Sequence, residues 1–266
     1  MLLINQNPKP KTQNPKRKMR KLHLIVLCSL CTLNICAQEN EKTAVADPGK
    51  NIIKLNLPAL ALKNISVQYE RAIAKKMTVA ATFRYMPDGN IPLKSTFIKI
   101  ADDPDTERQL NNLKVGNMAV MPEIRFYLGK RGAFHGFYLA PFASIARYNA
   151  NLLFEFDDAG TTETIPMDGS VNTFTGGLML GAQWKLSKKL YLDWWILGPN
   201  YGSSNGDLAG KKTLTLSEQQ SLRDALDNLD IPMTDFTYTV DGNGANINFK
   251  GPWAGVRAGI CLGIRF

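Results

Sequence analysis

Hydrophobic and polar residues alternate along much of the chain after residue 50, and the pattern is plainest in the last strand-like segment. One face of that segment carries Val256, Ala258, Ile260, Leu262, Ile264 and Phe266, and the other carries Gly255, Arg257, Gly259, Cys261, Gly263 and Arg265. A period of two residues predicts a β-strand. A fully apolar face opposite a face of glycine and arginine is typical of a strand with lipid on one side and a polar lumen on the other.

The same alternation recurs in earlier segments. Eight strands are predicted, at about 51–60, 64–73, 76–86, 114–128, 136–150, 170–186, 189–202 and 249–266. Each is long enough for the 9–11 residues that a tilted strand needs to cross a bilayer. Short links at 74–76, 129–135 and 187–189 alternate with long links at 87–113, 151–169 and 203–248, the short link 61–63 being an exception. This predicts an all-β fold, an eight-stranded antiparallel up-and-down transmembrane β-barrel with both chain ends in the periplasm.

The long links are interpreted as extracellular loops that contain short helices. Thr106–Gln109 and Ser217–Gln220 both fit the capping box that starts a helix. After the second box, Leu222, Leu226 and Leu229 form an apolar stripe at helical spacing, which predicts a helix packed over the barrel mouth or over its own loop. A lid or a partner-docking helix is the alternative. The turn residues Asp241–Gly244 predict a hairpin at the end of the last loop.

The N-terminal segment has the composition of an export signal. Residues 1–37 contain seven lysines and arginines and no acidic residue, and so account for most of the net charge of +9. The basic pair Arg20–Lys21 precedes the apolar stretch Leu22–Leu33, which is too short for a spanning helix. We predict an N-terminal extension plus secretory signal peptide over 1–37, starting at Met19 and cleaved after Ala37, followed by an outer-membrane barrel over 38–266.

The polar faces of the predicted strands point into the lumen and carry charges of both signs. An eight-stranded barrel has an interior just wide enough for side chains to fill, and an unpaired buried charge is costly. A polar network that fills the lumen is therefore expected, and a gated polar pathway is the alternative. The expected network comprises Lys54, Glu70, Arg84, Glu123, Arg125, Gln183, Asp193, Arg257 and Arg265.

No catalytic, cofactor-binding or metal-binding residue is predicted. His135 is the only histidine after residue 37, and the predicted topology puts it in a periplasmic turn, far from the acidic residues of the outer loops. It therefore cannot act as their base, and no histidine pair exists for zinc. Asp102–Asp105 lacks the ordered spacing and distal glutamate of a calcium loop. Cys261 is the only cysteine after residue 37, so no disulfide is expected within 38–266.

Several motifs resemble those of known bacterial proteins. The segments Asn51–Pro58, Ser66–Arg71 and Pro122–Leu128 resemble an uncharacterised outer-membrane barrel family known as a domain of unknown function. The region 38–266 is similar to the small Gram-negative barrels of the OmpA, OmpX and OmpW kind. Their last strand commonly ends in phenylalanine and is read by the insertion machinery. The resemblance implies an insertion signal formed by Trp253, Leu262, Ile264 and Phe266.

Three functions follow as hypotheses. The first is a non-enzymatic integral outer-membrane barrel with a charge-filled lumen, which has a structural role or displays loops to a partner. The alternative is a narrow, porin-like channel or conduit for small solutes, and a lipid-directed enzyme is the third. The expected partners are outer-membrane lipid and the outer-membrane insertion machinery. An extracellular ligand or protein is a further candidate for the loops. No nucleic acid is expected, because no basic stripe remains outside the N-terminal segment.

Overall fold

The protein folds as a closed antiparallel β-barrel. A computed structural model describes residues 49–228 and 234–266. The predicted signal segment 1–37 lies outside the described residues. The strands are β1 Asn51–Asn56, β2 Ile65–Ala74, β3 Met77–Asn90, β4 Lys114–Tyr127, β5 Gly136–Asp158, β6 Thr161–Lys185, β7 Leu190–Lys211, β8 Asp235–Asp241 and β9 Gly244–Arg265. The helices are α1 Leu57–Ala61, α2 Lys94–Ala101, α3 Pro104–Asn112 and α4 Leu216–Asp227.

Eight strands close the ring, in the order β1 to β7 followed by β9, and β9 pairs back onto β1. The closing pair aligns Lys54 with Gly263 and Leu55 with Leu262. Neighbouring strands are antiparallel throughout, which confirms the predicted eight-stranded up-and-down barrel. β8 pairs with the first half of β9 and stands outside the ring.

The strands differ greatly in length, and this difference shapes the two ends of the barrel. At one end, here called the turn end, short links follow β2, β4 and β6. At the opposite end, β5, β6, β7 and β9 continue well beyond β1 to β4. The long link predicted at 151–169 is wrong, because β5 and β6 extend through it and meet in the two-residue turn Ala159–Gly160. Both turn residues have positive φ, as a tight hairpin turn requires.

The protruding parts of these strands form a second region, here called the extension, which comprises the described residues of 148–171 and 206–249. Its sheet runs β5-β6-β7-β9-β8. α4 packs on this sheet through Leu222 and Leu226, which are fully buried beside Phe156, Ile165 and Met167. The hairpin predicted around Asp241–Gly244 is confirmed by the pairing of β8 with β9.

The helix starts and the end of the first strand differ from prediction. The N-cap of α4 is Thr215, two residues before the predicted Ser217, and Glu218 closes the capping box. α3 begins at Pro104, so Thr106 lies inside the helix and not before it. β1 ends at Asn56, because Pro58 falls in the first turn of α1. Among the described residues, no helix is long and apolar enough to cross a bilayer.

The outside of the barrel carries a broad apolar surface, here called the belt. Met118, Ile145, Phe174 and Val256 are each at least half exposed. Met118 in β4 and Leu128 just after it mark the extent of the belt. They are ten residues apart, which at roughly 3.3 Å per residue and a tilt of about 40° corresponds to roughly 25 Å of height. The belt ends at a row of exposed, mutually paired polar residues, Arg147, Asn172, Asn205 and Lys250, here called the boundary row.

Candidate functional site

Six charged side chains fill the lumen in the half of the barrel nearer the turn end. This ionic plug consists of Lys54, Glu70, Glu123, Arg125, Asp193 and Arg257, with relative exposures between 0% and 8%. Three of the side chains are cationic and three are anionic, so the plug carries no net formal charge. Because a buried charge is costly unless it is paired and hydrogen-bonded, this balance is what permits the group to remain ionised inside the barrel.

The plug is organised around two cations. The Arg125 guanidinium donates to Asp193 Oδ2 at 2.6 Å, to Glu123 Oε1 at 2.5 Å and to Glu70 Oε2 at 3.3 Å. The Lys54 ammonium donates to Asp193 Oδ2 at 2.5 Å, and it also bonds Glu70 Oε2. Lys54 and Arg125 therefore share two carboxylates, so no single pair can be removed without affecting the others.

Uncharged donors complete the coordination of the carboxylates. Tyr127 donates to Glu70 Oε1 at 2.7 Å, Tyr138 donates to Asp193 Oδ1 at 2.8 Å, and the Trp195 indole donates to Asp193 Oδ2 at 3.0 Å. Gln68 donates to Glu123 Oε1 at 3.1 Å. Charge-assisted bonds of this kind are about twice as strong as neutral ones. Each plug carboxylate thus accepts bonds on both of its oxygens.

Arg257 closes the plug on the side away from the turn end. Its guanidinium bonds Glu123 Oε2, donates to Thr82 Oγ1 at 2.8 Å, and lies 4.1 Å from the Trp195 ring centroid. A second cation–aromatic contact places Arg125 4.4 Å from the centroid of the Tyr138 ring. The aromatic rings fill the space that the ion pairs leave, so the lumen is occupied by side chains at this level.

The register of the closing strands makes room for Lys54. Gly263 faces the lumen opposite Lys54, and a Cβ atom on Gly263 would lie 2.8 Å from Lys54 Cγ. Such a contact is too close for a real side chain, so glycine at this position allows Lys54 to reach the centre of the barrel. Gly263 therefore has a packing role beside the plug.

Two residues of the expected network lie apart from the plug. Arg84 belongs to the same expected network as Glu70 and Glu123, yet its strand neighbours are Ser66 and Ala119, whereas Glu70 and Glu123 both align with Ala80. Four residues of strand therefore separate them, about 13 Å. Arg84 instead donates to the Tyr148 hydroxyl at 3.0 Å.

Arg265 lies at the turn end. It donates to the Gly49 carbonyl and to the Tyr191 hydroxyl, each at 2.8 Å, and its guanidinium lies 4.8 Å from the Phe134 ring centroid. It covers a hydrophobic cluster near the turn end, which Ile52, Phe134 and Tyr191 form. Gln183 does lie in the plug, where Oε1 accepts from Lys54 at 3.0 Å and lies 2.7 Å from the Tyr127 hydroxyl oxygen.

The aromatic donors of the plug were missed in the sequence, although strand parity placed them correctly. Tyr127 and Trp195 fall on the predicted inward faces, but the predicted network includes only charged and amide residues. Tyr and Trp commonly find a hydrogen-bond partner when they are buried. An inward tyrosine beside an inward carboxylate is the signal that could have found them.

The residues of the expected insertion signal divide between the two faces of β9. Ile264 and Phe266 are exposed on the belt, and Leu262 lies on the same face. Trp253 points inward, where its ring lies 5.1 Å from that of Tyr148. The last residue closes the barrel, because Phe266 exchanges two backbone hydrogen bonds with Asn51.

The extension has its own charged cluster at the start of α4. Lys212 Nζ donates to Glu163 Oε2 at 2.7 Å and lies 3.3 Å from Glu218 Oε1. The hydrogen bond to Glu163 raises the pKa of Lys212 above its usual value. The backbone N–H of Thr215, which donates to Glu218 Oε2 at 2.7 Å, lowers the pKa of Glu218. These groups hold the capping box in its charged form.

Other candidate chemistry is sparse. Within 49–228 and 234–266, no group of three or more histidine, cysteine, aspartate or glutamate side chains could hold a metal ion. His135 lies near the turn end, with Nδ1 3.0 Å from the Ala133 carbonyl and its ring 6.0 Å from that of Tyr191. The plug is thus the most elaborate polar site that the described residues form.

Comparison with known proteins places the chain by sequence family. Residues 23–203 match the family described as "Protein of unknown function (DUF3575)". The chain belongs to this family. No curated protein matches it.

Two solved structures are similar to the barrel. The translocator domain of the autotransporter NalP from Neisseria meningitidis is 12% identical with a TM-score of 0.33, over 86% of this chain and 90% of that one. The N-terminal β-barrel domain of Pseudomonas aeruginosa OprF is 8% identical with a TM-score of 0.24, over 82% of this chain and 98% of that one.

Proposed function

We propose that the protein is a non-enzymatic integral outer-membrane β-barrel, similar in kind to the small OmpA, OmpX and OmpW barrels, whose lumen is sealed and whose extension is displayed outside the cell. The ionic plug is the observation that carries the proposal, because it occupies the lumen with balanced, mutually bonded side chains. Solute passage would require these bonds to break together, and an unpaired buried charge costs several kcal/mol.

The belt supports the membrane part of the proposal. Its height of roughly 25 Å is that of the outward apolar band of outer-membrane barrels. Large exposed apolar surfaces are rare on soluble monomers, where a contiguous patch of more than a few hundred Å² marks an interaction site. In the proposed setting, the boundary row of Arg147, Asn172, Asn205 and Lys250 lies where the strands leave the hydrocarbon.

The extension supports the display part of the proposal. Above the boundary row, most outward residues are polar, with exposed Asn151, Asp157, Asp168, Asp207 and Asn248, and Leu153 is an apolar exception. Most large apolar residues there turn inward, and a core of them packs beneath α4. This arrangement suits a folded body in water, standing on the membrane barrel.

Conductance of the refolded protein in a planar bilayer tests the seal. Heat-dependent migration on a gel first establishes that the barrel has folded. We expect no stable current from the wild type. The paired substitution Glu123→Ala with Arg125→Ala removes one charge of each sign, so the plug keeps its neutrality, and we expect it to produce a measurable current. A stable, reproducible current from the wild type would overturn the sealed lumen and favour a narrow channel for small solutes.

Epitope tags test the display. A tag inserted in the turn Ala159–Gly160 should bind antibody on intact cells. The matched control is the same tag between Ser187 and Lys188, in the turn at the opposite end, which should bind only after the outer membrane is permeabilised. Binding of antibody to the control tag on intact cells, with none to the first, would reverse the proposed orientation.

A further inference from the structure

An apolar chamber of about 380 Å³ lies where the extension joins the barrel, beside the core on which α4 packs. Its lining comes from the inward faces of β5, β6, β7 and β9 and from β8, and includes Phe154, Met167, Leu208, Ile247, Phe249 and Trp253. Most of these side chains are only half-buried. Ligand pockets are commonly several hundred Å³ in volume, largely apolar in lining, and found in the mouths of β-barrels. The chamber therefore has the size and chemistry of a small-molecule site.

Small inward residues keep the lumen wide beneath the chamber. One hydrogen-bonded row across the wall runs from Arg84 through Ala119, Ala146 and Thr173 to Ser204. Except for Arg84, no member of this row has a side chain larger than threonine. A row in which only the first member is large leaves space between the two sides of the barrel. Arg84 and Ser204, which lines the chamber, are the two ends of this row.

Arg84 differs from the cations of the plug in having no carboxylate partner. Among the described residues, its guanidinium makes a hydrogen bond only with the Tyr148 hydroxyl, and its buried Nε–H has no partner. No carboxylate oxygen of those residues lies within 4 Å of it, whereas Lys54, Arg125 and Arg257 each have at least one. An arginine with unused donors favours an anionic, planar acceptor such as a carboxylate.

Two aromatic rings connect this cation to the chamber. The Arg84 guanidinium lies 5.9 Å from the centroid of the Tyr148 ring, and that ring lies 5.1 Å from the ring of Trp253. Trp253 is itself part of the chamber lining. A cation at the foot of an apolar cavity matches a molecule with one anionic end and an apolar body.

We propose that the chamber binds a single-chain anionic amphiphile of the fatty-acid class. Its carboxylate pairs with Arg84, and its alkyl chain runs past Tyr148 and Trp253 into the cavity under α4. The site lies on the α4 side of the plug, so binding does not require the lumen to conduct, and the conductance result leaves this proposal untouched. The site is therefore a function additional to the sealed barrel.

Binding of decanoate and of decanol to the barrel in zwitterionic lipid nanodiscs tests the proposal. The two probes share a chain length and differ in charge, and empty nanodiscs correct for partition into lipid. We expect saturable decanoate binding, with decanol bound more weakly. Arg84→Gln should weaken decanoate binding about tenfold or more, since a hydrogen bond to a charged group is lost, and should leave decanol binding unchanged. The control Arg147→Gln removes an exposed arginine of the outer surface and should change neither.

A second pair of variants tests the position of the chain. Ser204→Phe places a ring in the chamber and should abolish binding of both probes, whereas Ser203→Phe places the same ring on the outer face and should not. Heat-dependent gel migration verifies that each variant is folded. The proposal would be overturned by absence of saturable decanoate binding above empty nanodiscs, by equal loss of decanoate and decanol in Arg84→Gln, or by full binding in a folded Ser204→Phe variant.

Discussion

The barrel and the extension are built from the same strands with opposite distributions of side chains. Along β5 below the boundary row, Phe137 and Ile145 face out while Tyr138 and Ser144 face in. Above it, Asn151 and Asp157 face out while Phe156 packs inside. The pairing of β5 with β6 continues without a break through both regions. Backbone hydrogen bonding is therefore the same on both sides of the boundary row. Only the distribution of apolar and polar side chains changes there.

The two interiors also differ in what stabilises them. The barrel interior is held by ion pairs and tyrosine hydroxyls, which are costly to bury and require every partner to be present. The interior of the extension is held by apolar packing beneath α4, which depends on area and shape and tolerates substitution better. In the proposed setting, the apolar residues of the barrel face the lipid. Polar residues therefore fill its narrow lumen.

The largest expected effect comes from unbalancing the plug. Asp193→Ala leaves Lys54 and Arg125 with one carboxylate fewer, and the free energy of unfolding should fall by about 3–5 kcal/mol. Urea unfolding in lipid vesicles, followed by tryptophan fluorescence, measures it. The control Asp207→Ala, on the same strand but exposed in the extension, should change it by less than about 0.5 kcal/mol.

A second variant, in which both members of one ion pair are replaced, separates the effect of charge balance from that of packing. Lys54→Met with Asp193→Leu removes one charge of each sign and leaves two cations and two anions in the plug. Replacement of a buried ion pair by apolar residues is often neutral, so the paired variant should be more stable than Asp193→Ala alone. If the paired variant were the less stable of the two, charge balance would not be what holds the plug together.

A smaller effect is expected where an arginine is placed on the outer surface of β6. Leu180→Arg puts a charge at the middle of the belt and should destabilise the barrel in vesicles by about 2–4 kcal/mol. Asn172→Arg puts the same side chain on the boundary row, where the cost should be about 0–1 kcal/mol. Urea unfolding in lipid vesicles, as for the plug variants, measures the free energy of unfolding of both variants. Equal costs at the two positions would mean that the boundary row does not mark the edge of the hydrocarbon.

The same contrast explains which parts of the fold could be predicted from the sequence. Below the boundary row, apolar residues on every second position identify each strand, and the eight predicted strands all exist. Above it, the exposed residues include Asp157, Thr164 and Asp168, so 151–169 has the composition of a loop. Apolar and polar residues also alternate there, but the apolar ones, Phe154, Phe156, Ile165 and Met167, lie on the inward face. A prediction based on outward apolar faces therefore does not include these parts of the strands.

The sequence predicts which residues face the lumen better than it predicts which of them contact each other. Strand parity identifies Glu70, Glu123, Arg125 and Asp193 as inward residues, but a pairing also needs the stagger between strands. Arg84 shows the consequence, since it shares a face with Glu123 yet lies four residues of strand away. The chamber could not be predicted in the same way, because it depends on the protrusion of β5 to β9 and on the position of α4.

The smallest expected effect concerns the N-terminus of α4, where the charged Glu218 carboxylate closes the capping box. The pKa of Glu218 is lowered by the Thr215 backbone N–H and hydroxyl and then by Lys212, so its midpoint in the folded protein should lie below the ordinary value of 4.5. Titration of the Glu218 carboxyl carbon by NMR, with the protein in nanodiscs, measures this midpoint. A midpoint at or above 4.5 would show that the capping box does not favour the charged form.

The sign of the linked stability follows from the lowered pKa. Glu218 binds a proton more readily in the unfolded chain, so its contribution is present above the unfolded value and is lost as the pH falls through the folded one. Hydrogen exchange of the first α4 amides should therefore report more opening of that turn in acid, and Glu218→Gln should remove most of the pH dependence. Glu107→Gln, an exposed substitution in α3, is the matched control and should leave the dependence intact. Because the capping box is local to the extension, protection of amides beside the plug should not change in either variant, and a change there would mean that the two regions unfold as one unit.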